Sequence, residues 1–444
     1  MRSARAKVAH ELLDKPLLCW VVDAAKQAGS TETICVVGFA REQIEPLVKD
    51  TAIIVQEEQL GTGHAVLMAS DLLARKDMPS SLVVLCGDTP LLCPETISSL
   101  VRSQQQSGAA VCLLTHFADN PKGYGRVIRD NDNQPVRIVE EKDATEKEKA
   151  INECNSGAYC FDVKILLENL GQIKNKNAQG EYYLTDIIGI CVARGLPIQA
   201  YTADAKETMG INDRIQLAYA TKVMQKRINK RHMEAGVTML DPSLVWIGPD
   251  VILENDIELL PLTMLFGETS VKSGSVLGPN TRVTNSVIGH DCRVDESILV
   301  DVTLEDAVNC GPRAYLRPGT VMKAGSKAGT HVEIKKSVVG EGSKVPHLTY
   351  LGDATLGVDV NIGAGTITCN YDGARKNPTT IGDRAFVGSD TMFVAPVSIG
   401  ADTVTGAGSV ITSDVPDGAL AIGRAKQVVA ESWTSKHRRK YQDD

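Results

Sequence analysis

Histidine exchanges a proton near neutral pH without special help, which makes it the usual general base. This chain has eight histidines in 444 residues. Most histidines in folded chains are structural. His347 is set apart by its context, because the segment His347-Leu-Thr-Tyr-Leu-Gly-Asp353 interrupts a six-residue periodicity, as a functional excursion would. A second candidate is Asp88, which closes the apolar run Ser81-Leu-Val-Val-Leu-Cys-Gly-Asp88. Open α/β sheets bind ligands just beyond the carboxyl ends of their strands, and Asp88 falls at such a place.

Two kinds of element must position these residues. Before about residue 240, short apolar runs (33–38, 81–88) alternate with helical patterns such as 94–106. That alternation predicts a mostly parallel sheet with helices on both faces. Residues 213–235 carry a periodic pattern without Pro or Gly, which predicts a connecting helix stopped by Gly236. Beyond it, aliphatic residues recur every six positions at Leu253, Leu259, Leu265, Val271, Leu277 and Val283. The register slips, resumes at Leu356 and Ile362, slips across an insertion, and returns at Ile381, Val387, Phe393, Ile399, Thr405 and Ile411. Such a repeat marks a solenoid, each unit being one flat side and one corner, with three units to a triangular turn. The glycines of Leu277-Gly278, Ile381-Gly382, Val387-Gly388 and Ile399-Gly400 are expected at corners, where unusual backbone angles suit them. The competing β-sandwich with regular turns would show a period of two, not six. The domain boundaries expected are 1–212, 213–236 and 237–444.

Composition narrows the class. Aromatic residues make up only 4%, as expected for thin layers of small aliphatic side chains. The net charge of -8 argues against a nucleic-acid surface. The basic run Lys436, His437, Arg438, Arg439 and Lys440 is local; it reads as a solvated end, or as a holder for a phosphorylated ligand. The eleven cysteines show no CxxC pair, as free thiols in a reducing compartment would. No apolar run approaches the roughly 20 residues of a membrane span, and the N-terminus lacks a signal-peptide core, so a cytoplasmic protein without membrane insertion is expected. Coils of this kind with zinc use three histidines on adjacent turns, and His290, His331 and His347 do not fall in matching register.

Seven motifs stand along the chain: Gln59-Leu-Gly-Thr-Gly-His-Ala65, Gly87-Asp88-Thr-Pro90, Gly123-Tyr-Gly-Arg126, Asn177-Ala-Gln-Gly-Glu-Tyr-Tyr183, Leu316-Arg-Pro-Gly319, His347-Leu-Thr-Tyr-Leu-Gly-Asp353 and Asn361-Ile-Gly-Ala-Gly-Thr-Ile-Thr-Cys-Asn-Tyr-Asp-Gly373. In these motifs and their order the chain resembles the family of bifunctional N-acetylglucosamine-1-phosphate uridylyltransferase/glucosamine-1-phosphate acetyltransferases. The resemblance implies an α/β nucleotidyltransferase domain, Rossmann-like, followed by a left-handed parallel β-helix of hexapeptide repeats, assembled as a homotrimer. It implies acetyl transfer from acetyl-CoA to glucosamine-1-phosphate, then Mg²⁺-dependent uridylyl transfer from UTP to N-acetylglucosamine-1-phosphate, giving UDP-N-acetylglucosamine and pyrophosphate.

Site residues follow by matching position. His347 matches the proton acceptor. Arg317 and Lys335 match groups that hold the sugar phosphate, a role for which arginine's two-pronged hydrogen bonding is suited. Tyr350 and Asn361 match further sugar contacts. Ala364, Asn370, Tyr371, Ser389, Ala407 and Arg424 match the acetyl-CoA groove. In the first domain, Asp88 and Asn212 match the metal ligands, and two oxygen ligands with water completing the shell suit Mg²⁺. Lys7 matches a phosphate contact; Gln56, Gly61 and Thr62 match uracil contacts; Cys86 and Gly87 flank the metal ligand; and Gly125, Glu140 and Asn155 match the sugar set. Thr330 stands where the family often has Asn. Two rival readings are a non-catalytic scaffold and a sugar nucleotidyltransferase whose coil only oligomerises; a purely structural coil needs none of His347, Lys335 and Arg424.

One departure is large. The family opens with a strand and a Gly-rich loop, and Met1 aligns with the last residue of that motif; Ala6 also stands where a proline is usual. The rest of that pocket is intact, which favours a start assigned inside a longer reading frame over a decayed enzyme. The 444-residue polypeptide is therefore expected to turn over UTP far more slowly than it acetylates glucosamine-1-phosphate. Comparable steady-state rates would contradict this.

Overall fold

The computed structural model describes residues 1–438, so Arg439 and Lys440 of the basic run lie outside the described residues. Two compact units emerge, Met1–Arg227 and Ile228–Asp444, and the helix Arg214–Glu234 runs through their boundary.

In the first unit, the helix Pro94–Ser107 begins with proline, whose missing N–H costs nothing in a first turn, and ends at Gly108 with φ +61°. It covers a mixed six-stranded sheet. Strand Ile198–Thr202 runs parallel to Val111–Phe117, and the long strand Glu153–Asp162 lies antiparallel between Val111–Phe117 and Ser81–Val84. The hairpin of Arg126–Arg129 and Pro135–Val139 extends this sheet beyond Glu153–Asp162. Leu113, Phe161, Leu166 and Ile187 form part of its core. Strands Ile34–Val37 and Ala52–Val55 pair in parallel as a separate sheet. Among the described residues, nothing pairs with the second edge of Ser81–Val84.

The second unit is a left-handed parallel β-helix whose three faces are parallel sheets of eleven, ten and nine strands. Up to the last turn, each strand pairs with the strand three elements later, so inner residues stack in columns. One column runs Leu259, Leu277, Val294, Cys310, Ala328. Another runs Ile247, Leu265, Val283, Leu299, Leu316, Ile334, Leu351. These side chains are buried, and each fully buried Leu or Ile contributes about 1.5–3 kcal/mol relative to an exposed one. Corner hydroxyls answer the backbone groups freed between strands. The Ser343 hydroxyl donates to the Gly357 carbonyl at 2.7 Å and accepts from the Val360 N–H at 2.8 Å.

Two expectations about this coil need correction. First, the register slip between Val283 and Leu356 is not an excursion. Some corners are one residue shorter, so inner residues such as Val283 and Ile288, or Val339 and Val345, lie five or six apart while the ladder stays continuous. His347 therefore sits at the corner end of the strand Lys344–His347, between inner residues Val345 and Leu351, and the true excursion is 370–378. Second, of the four quoted glycines only Gly278 has positive φ, at +106°. The others are needed because the next turn comes too close: a Cβ at Gly388 would lie 2.5 Å from the Thr405 carbonyl oxygen. The left-handed positions of the coil go to other glycines, such as Gly274, Gly342 and Gly365, and to Asp and Asn, among them Asp291, Asp359, Asp390 and Asp402, which tolerate that conformation better than most side chains.

Gly236, with φ +98°, ends the long helix, as its position in the sequence suggests. On that helix the Asn229 amide donates to the Pro242 and Val245 carbonyls at 2.7 and 2.9 Å, fixing the entry to the first turn. His232 is buried three residues on, with its Nε2 unpartnered. Burial, helped by Arg231, pushes its imidazole down to about 4 from the ordinary 6.5. The folded state thus holds His232 neutral where the unfolded chain would protonate it. Its contribution to stability is complete above the unfolded value and lost as pH falls toward the folded one. The second unit should lose up to about 3 kcal/mol from this group between pH 7 and pH 4. Denaturant titrations should show a shallower pH dependence in His232→Gln; an equal dependence would contradict the assignment.

Candidate active sites

Ladder register determines which coil residues meet. Thr330 and His347 are register partners, so the residue departing from the family pattern lies directly beside His347. Lys344 pairs with Asn361, and Ala364, like His347, is the third residue beyond its strand partner. The same corner continues turn by turn. The Asp390 N–H donates to the Ala364 carbonyl and the Gly408 N–H to the Ser389 carbonyl, both at 2.7 Å. The Arg424 guanidinium donates to the Ala407 carbonyl at 2.7 Å. His347, Ala364, Ser389, Ala407 and Arg424 thus follow one corner of the coil. His347 is exposed there, as a group that must meet a substrate needs to be.

A cationic cluster occupies the adjoining face. Arg317 and Lys335 lie on neighbouring turns, since the Arg317 N–H bonds to the Ile334 carbonyl at 2.8 Å. Arg317 donates to Glu333 at 2.7 Å, which holds its guanidinium above the ordinary value. Lys335 is depressed below the ordinary lysine value chiefly by Lys376, then by desolvation and by Arg317, with Asp353 opposing. Two ammonium groups brought together in this way favour an anion between them. Lys376 was missed in the sequence, because it sits in the insertion, where the repeat gives no register.

Gly352, across from Lys335, leaves room for two functional groups. A Cβ there would lie 2.5 Å from the Tyr350 hydroxyl and 2.6 Å from the Asn370 amide nitrogen. Asn370 is buried and donates to Asp353 at 2.7 Å, while Tyr371 is exposed. The residues expected to line the acetyl-CoA groove thus divide between the corner and the 370–378 hairpin. Asn361 stands apart from both on a strand face, paired with Phe386.

In the first unit, Lys7 ties the expected metal ligands together. Its ammonium donates to the Asp88 carboxylate and, at 3.0 Å, to the Asn212 side-chain oxygen. The Ile211 N–H bonds to the Asp88 carbonyl at 2.9 Å, which brings the two loops together. One carboxylate and one amide oxygen converging on a cation fit a hard divalent ion that takes its other ligands from water and phosphate. Among the described residues no group of three or more His, Cys, Asp or Glu makes a closed metal cage.

The residues expected to contact the sugar and the base form two clusters. The Asn155 N–H bonds to the Gly125 carbonyl at 2.9 Å, and the Asn155 amide donates to the Tyr159 hydroxyl at 2.7 Å. Gly125 has no room for a side chain: a Cβ would lie 3.0 Å from Ile138 and 3.3 Å from the Glu140 carboxylate. Burial raises the Glu140 carboxyl, with the Thr185 hydroxyl opposing. Burial also pushes the Cys86 thiol up to about 12, and it contacts the Gly157 carbonyl at 3.5 Å, so it stays protonated. Gly87 is closely packed too, with the Leu18 side chain 3.1 Å from a Cβ position. In the base cluster, the Gln56 amide contacts the Gly61 carbonyl at 3.2 Å and His64 Nδ1 at 2.9 Å. Thr62 has a structural partner: its hydroxyl accepts from the Leu184 N–H at 3.1 Å, pinning this loop to residues 182–184.

Known proteins match both units. A family model described as Nucleotidyl transferase matches residues 3–219, and one described as Bacterial transferase hexapeptide (six repeats) matches residues 378–413. The Bifunctional protein GlmU of Carboxydothermus hydrogenoformans is 48% identical over 435 residues, covering 98% of this chain and 97% of its own length. Those of Heliobacterium modesticaldum and Trichlorobacter lovleyi are 48% and 47% identical, covering 98% and 99% of this chain and 95% and 96% of their own lengths. Similarity of this degree along nearly the whole chain, with the motifs of both units in order, makes this polypeptide a member of the bifunctional GlmU family.

Proposed function

We propose that His347 is the general base for acetyl transfer in the coil, and that Asp88 and Asn212 hold the metal of the uridylyltransferase site. The chain is a bifunctional transferase that acetylates glucosamine-1-phosphate from acetyl-CoA and transfers uridylyl from UTP to N-acetylglucosamine-1-phosphate. The observation that carries the site reading is the corner shared by His347, Ala364, Ser389, Ala407 and Arg424. Small residues along it leave a track for a pantetheine arm leading to the base. Arg424, at its far end, suits a CoA phosphate.

In this reading Arg317, Lys335 and Lys376 hold the sugar phosphate, while Tyr350 and Asn361 face the sugar. His347 takes a proton from the amine as the nitrogen attacks the thioester carbonyl. The C–N bond forms, the C–S bond breaks, and the proton passes to the departing CoA thiolate. Holding amine and thioester together supplies much of the rate. In the first unit, a phosphate oxygen of N-acetylglucosamine-1-phosphate attacks the α-phosphorus of UTP, and pyrophosphate departs as the α–β bridging bond breaks. Mg²⁺ on Asp88 and Asn212 would neutralise phosphate charge there. Lys7 faces the phosphates, Gln56, Gly61 and Thr62 the uracil, Cys86 and Gly87 line the floor, and Gly125, Glu140 and Asn155 receive the sugar.

A homotrimer is supported by an exposed apolar column on one coil face, Phe386, Val404 and Leu420, in direct register where outward positions are ordinarily polar. A cytoplasmic setting agrees with free cysteines throughout the described residues. No helix among the described residues is long and apolar enough to cross a membrane.

His347→Ala should lower the acetyl-transfer kcat by about 10²–10⁴-fold while light scattering shows an unchanged oligomer. An unaffected rate would overturn the reading. Lys376→Ala should raise KM for glucosamine-1-phosphate by about tenfold or more and leave KM for acetyl-CoA nearly unchanged, since the charge serves only the phosphate. Equal changes in both would remove Lys376 from the phosphate site.

A further inference from the structure

The excursion 370–378 is held by a residue that none of the substrate assignments uses. Asp372 accepts hydrogen bonds from the Ala374 and Arg375 N–H groups, both at 2.8 Å, and from the Asn377 side-chain amide at 2.9 Å. The Asp372 N–H in turn bonds to the Arg375 carbonyl at 3.2 Å. The base of the hairpin is closed by the Asn377 N–H on the Asn370 carbonyl at 2.7 Å, and Tyr371 and Lys376 face each other as an antiparallel bridge. The Tyr371 hydroxyl donates to the Gly373 carbonyl at 2.6 Å across the tip. The hairpin is anchored to the coil at Asp353, through Asn370 and through the Thr379 N–H on the Asp353 carbonyl.

We infer that Asp372 is a positioning residue for acetyl transfer, locking one hairpin that delivers Lys376 to the sugar phosphate and Asn370 with Tyr371 to acetyl-CoA. This rests on the site reading above and extends it. Lys376 and Tyr371 are bridge partners, so whatever loosens the hairpin displaces a contact to each substrate together. The restraint falls on Asp372 because residues 370–378 lie outside the ladder, and side-chain hydrogen bonds must replace the strand pairing they lack. Those bonds also favour the ionised carboxylate, and they depress Asp372 to about 2, so the lock holds throughout the neutral range. Lys335 and Lys376 repel each other across the phosphate position, so without this lock the hairpin would tend to lift when no anion is bound.

The test is steady-state acetylation by the full chain, varying each substrate, for Asp372→Ala and for the exchange Asp372→Asn with Asn377→Asp. The exchange restores a side-chain pair with donor and acceptor reversed, and the amide it introduces at position 372 keeps an oxygen for the backbone N–H groups. Asp372→Ala should raise KM for glucosamine-1-phosphate and for acetyl-CoA together, each on the order of tenfold, with kcat at saturation within about threefold. The exchange should recover most of both losses. Melting of the coil should move by no more than about 2 °C, since no inner column is touched. Unchanged KM values, a rise in only one of them, or a loss confined to kcat would overturn the inference. His347→Ala, assayed alongside, separates this failure from failure of the site reading, because only the latter leaves its acetylation intact.

Discussion

The distance between turns governs everything else in the coil. Parallel strands must sit about 4.8 Å apart to hydrogen-bond. Most residues therefore meet the residue 16 to 18 positions on, as Leu277 meets Val294, Val294 meets Cys310 and Cys310 meets Ala328. Inner positions are then mostly aliphatic, because three faces converge on them. Corners must be glycine or a small residue wherever the next turn's backbone comes within contact distance, as at Gly388. The left-handed positions go mostly to other glycines and to Asp and Asn.

The same constraint turns the coil into a ruler for chemistry. A residue at a corner is repeated by its counterparts on later turns, so a base at His347 stands in line with a track of small residues ending at Arg424. The cationic cluster is built likewise, with Arg317 and Lys335 on successive turns. The one part that escapes the ruler is the 370–378 hairpin, and it brings Lys376, Asn370 and Tyr371. The first unit works differently: its candidate site draws on loops from distant parts of the chain, and Lys7, Asp88 and Asn212 meet through long-range hydrogen bonds.

How much of this could be read in the sequence follows the same division. The hexad of Leu253 through Val283 was legible because period six has one structural meaning, and the long helix was legible from its unbroken pattern and Gly236. The apparent break at His347 misleads. A corner one residue shorter changes the count without changing the ladder, so sequence spacing shows a slip where the backbone has none. Glycine's role is hidden for a related reason, since the close approach of the next turn is a contact across some 17 residues. The residues of the candidate sites came from motif resemblance. Lys376 was not found because its partner, Lys335, is 41 positions away across an insertion.

The central claim is that one corner of the coil carries acetyl-CoA to His347 while the adjoining face holds the sugar phosphate. A crystal structure of the chain with CoA and glucosamine-1-phosphate tests it most directly. Pantetheine density is expected along Ala364, Ser389 and Ala407, with phosphate between Arg317, Lys335 and Lys376. The sugar amine is expected within hydrogen-bonding reach of the His347 imidazole, about 2.6–3.2 Å. Pantetheine lying on another corner, or an amine remote from His347 with both ligands bound, would contradict it.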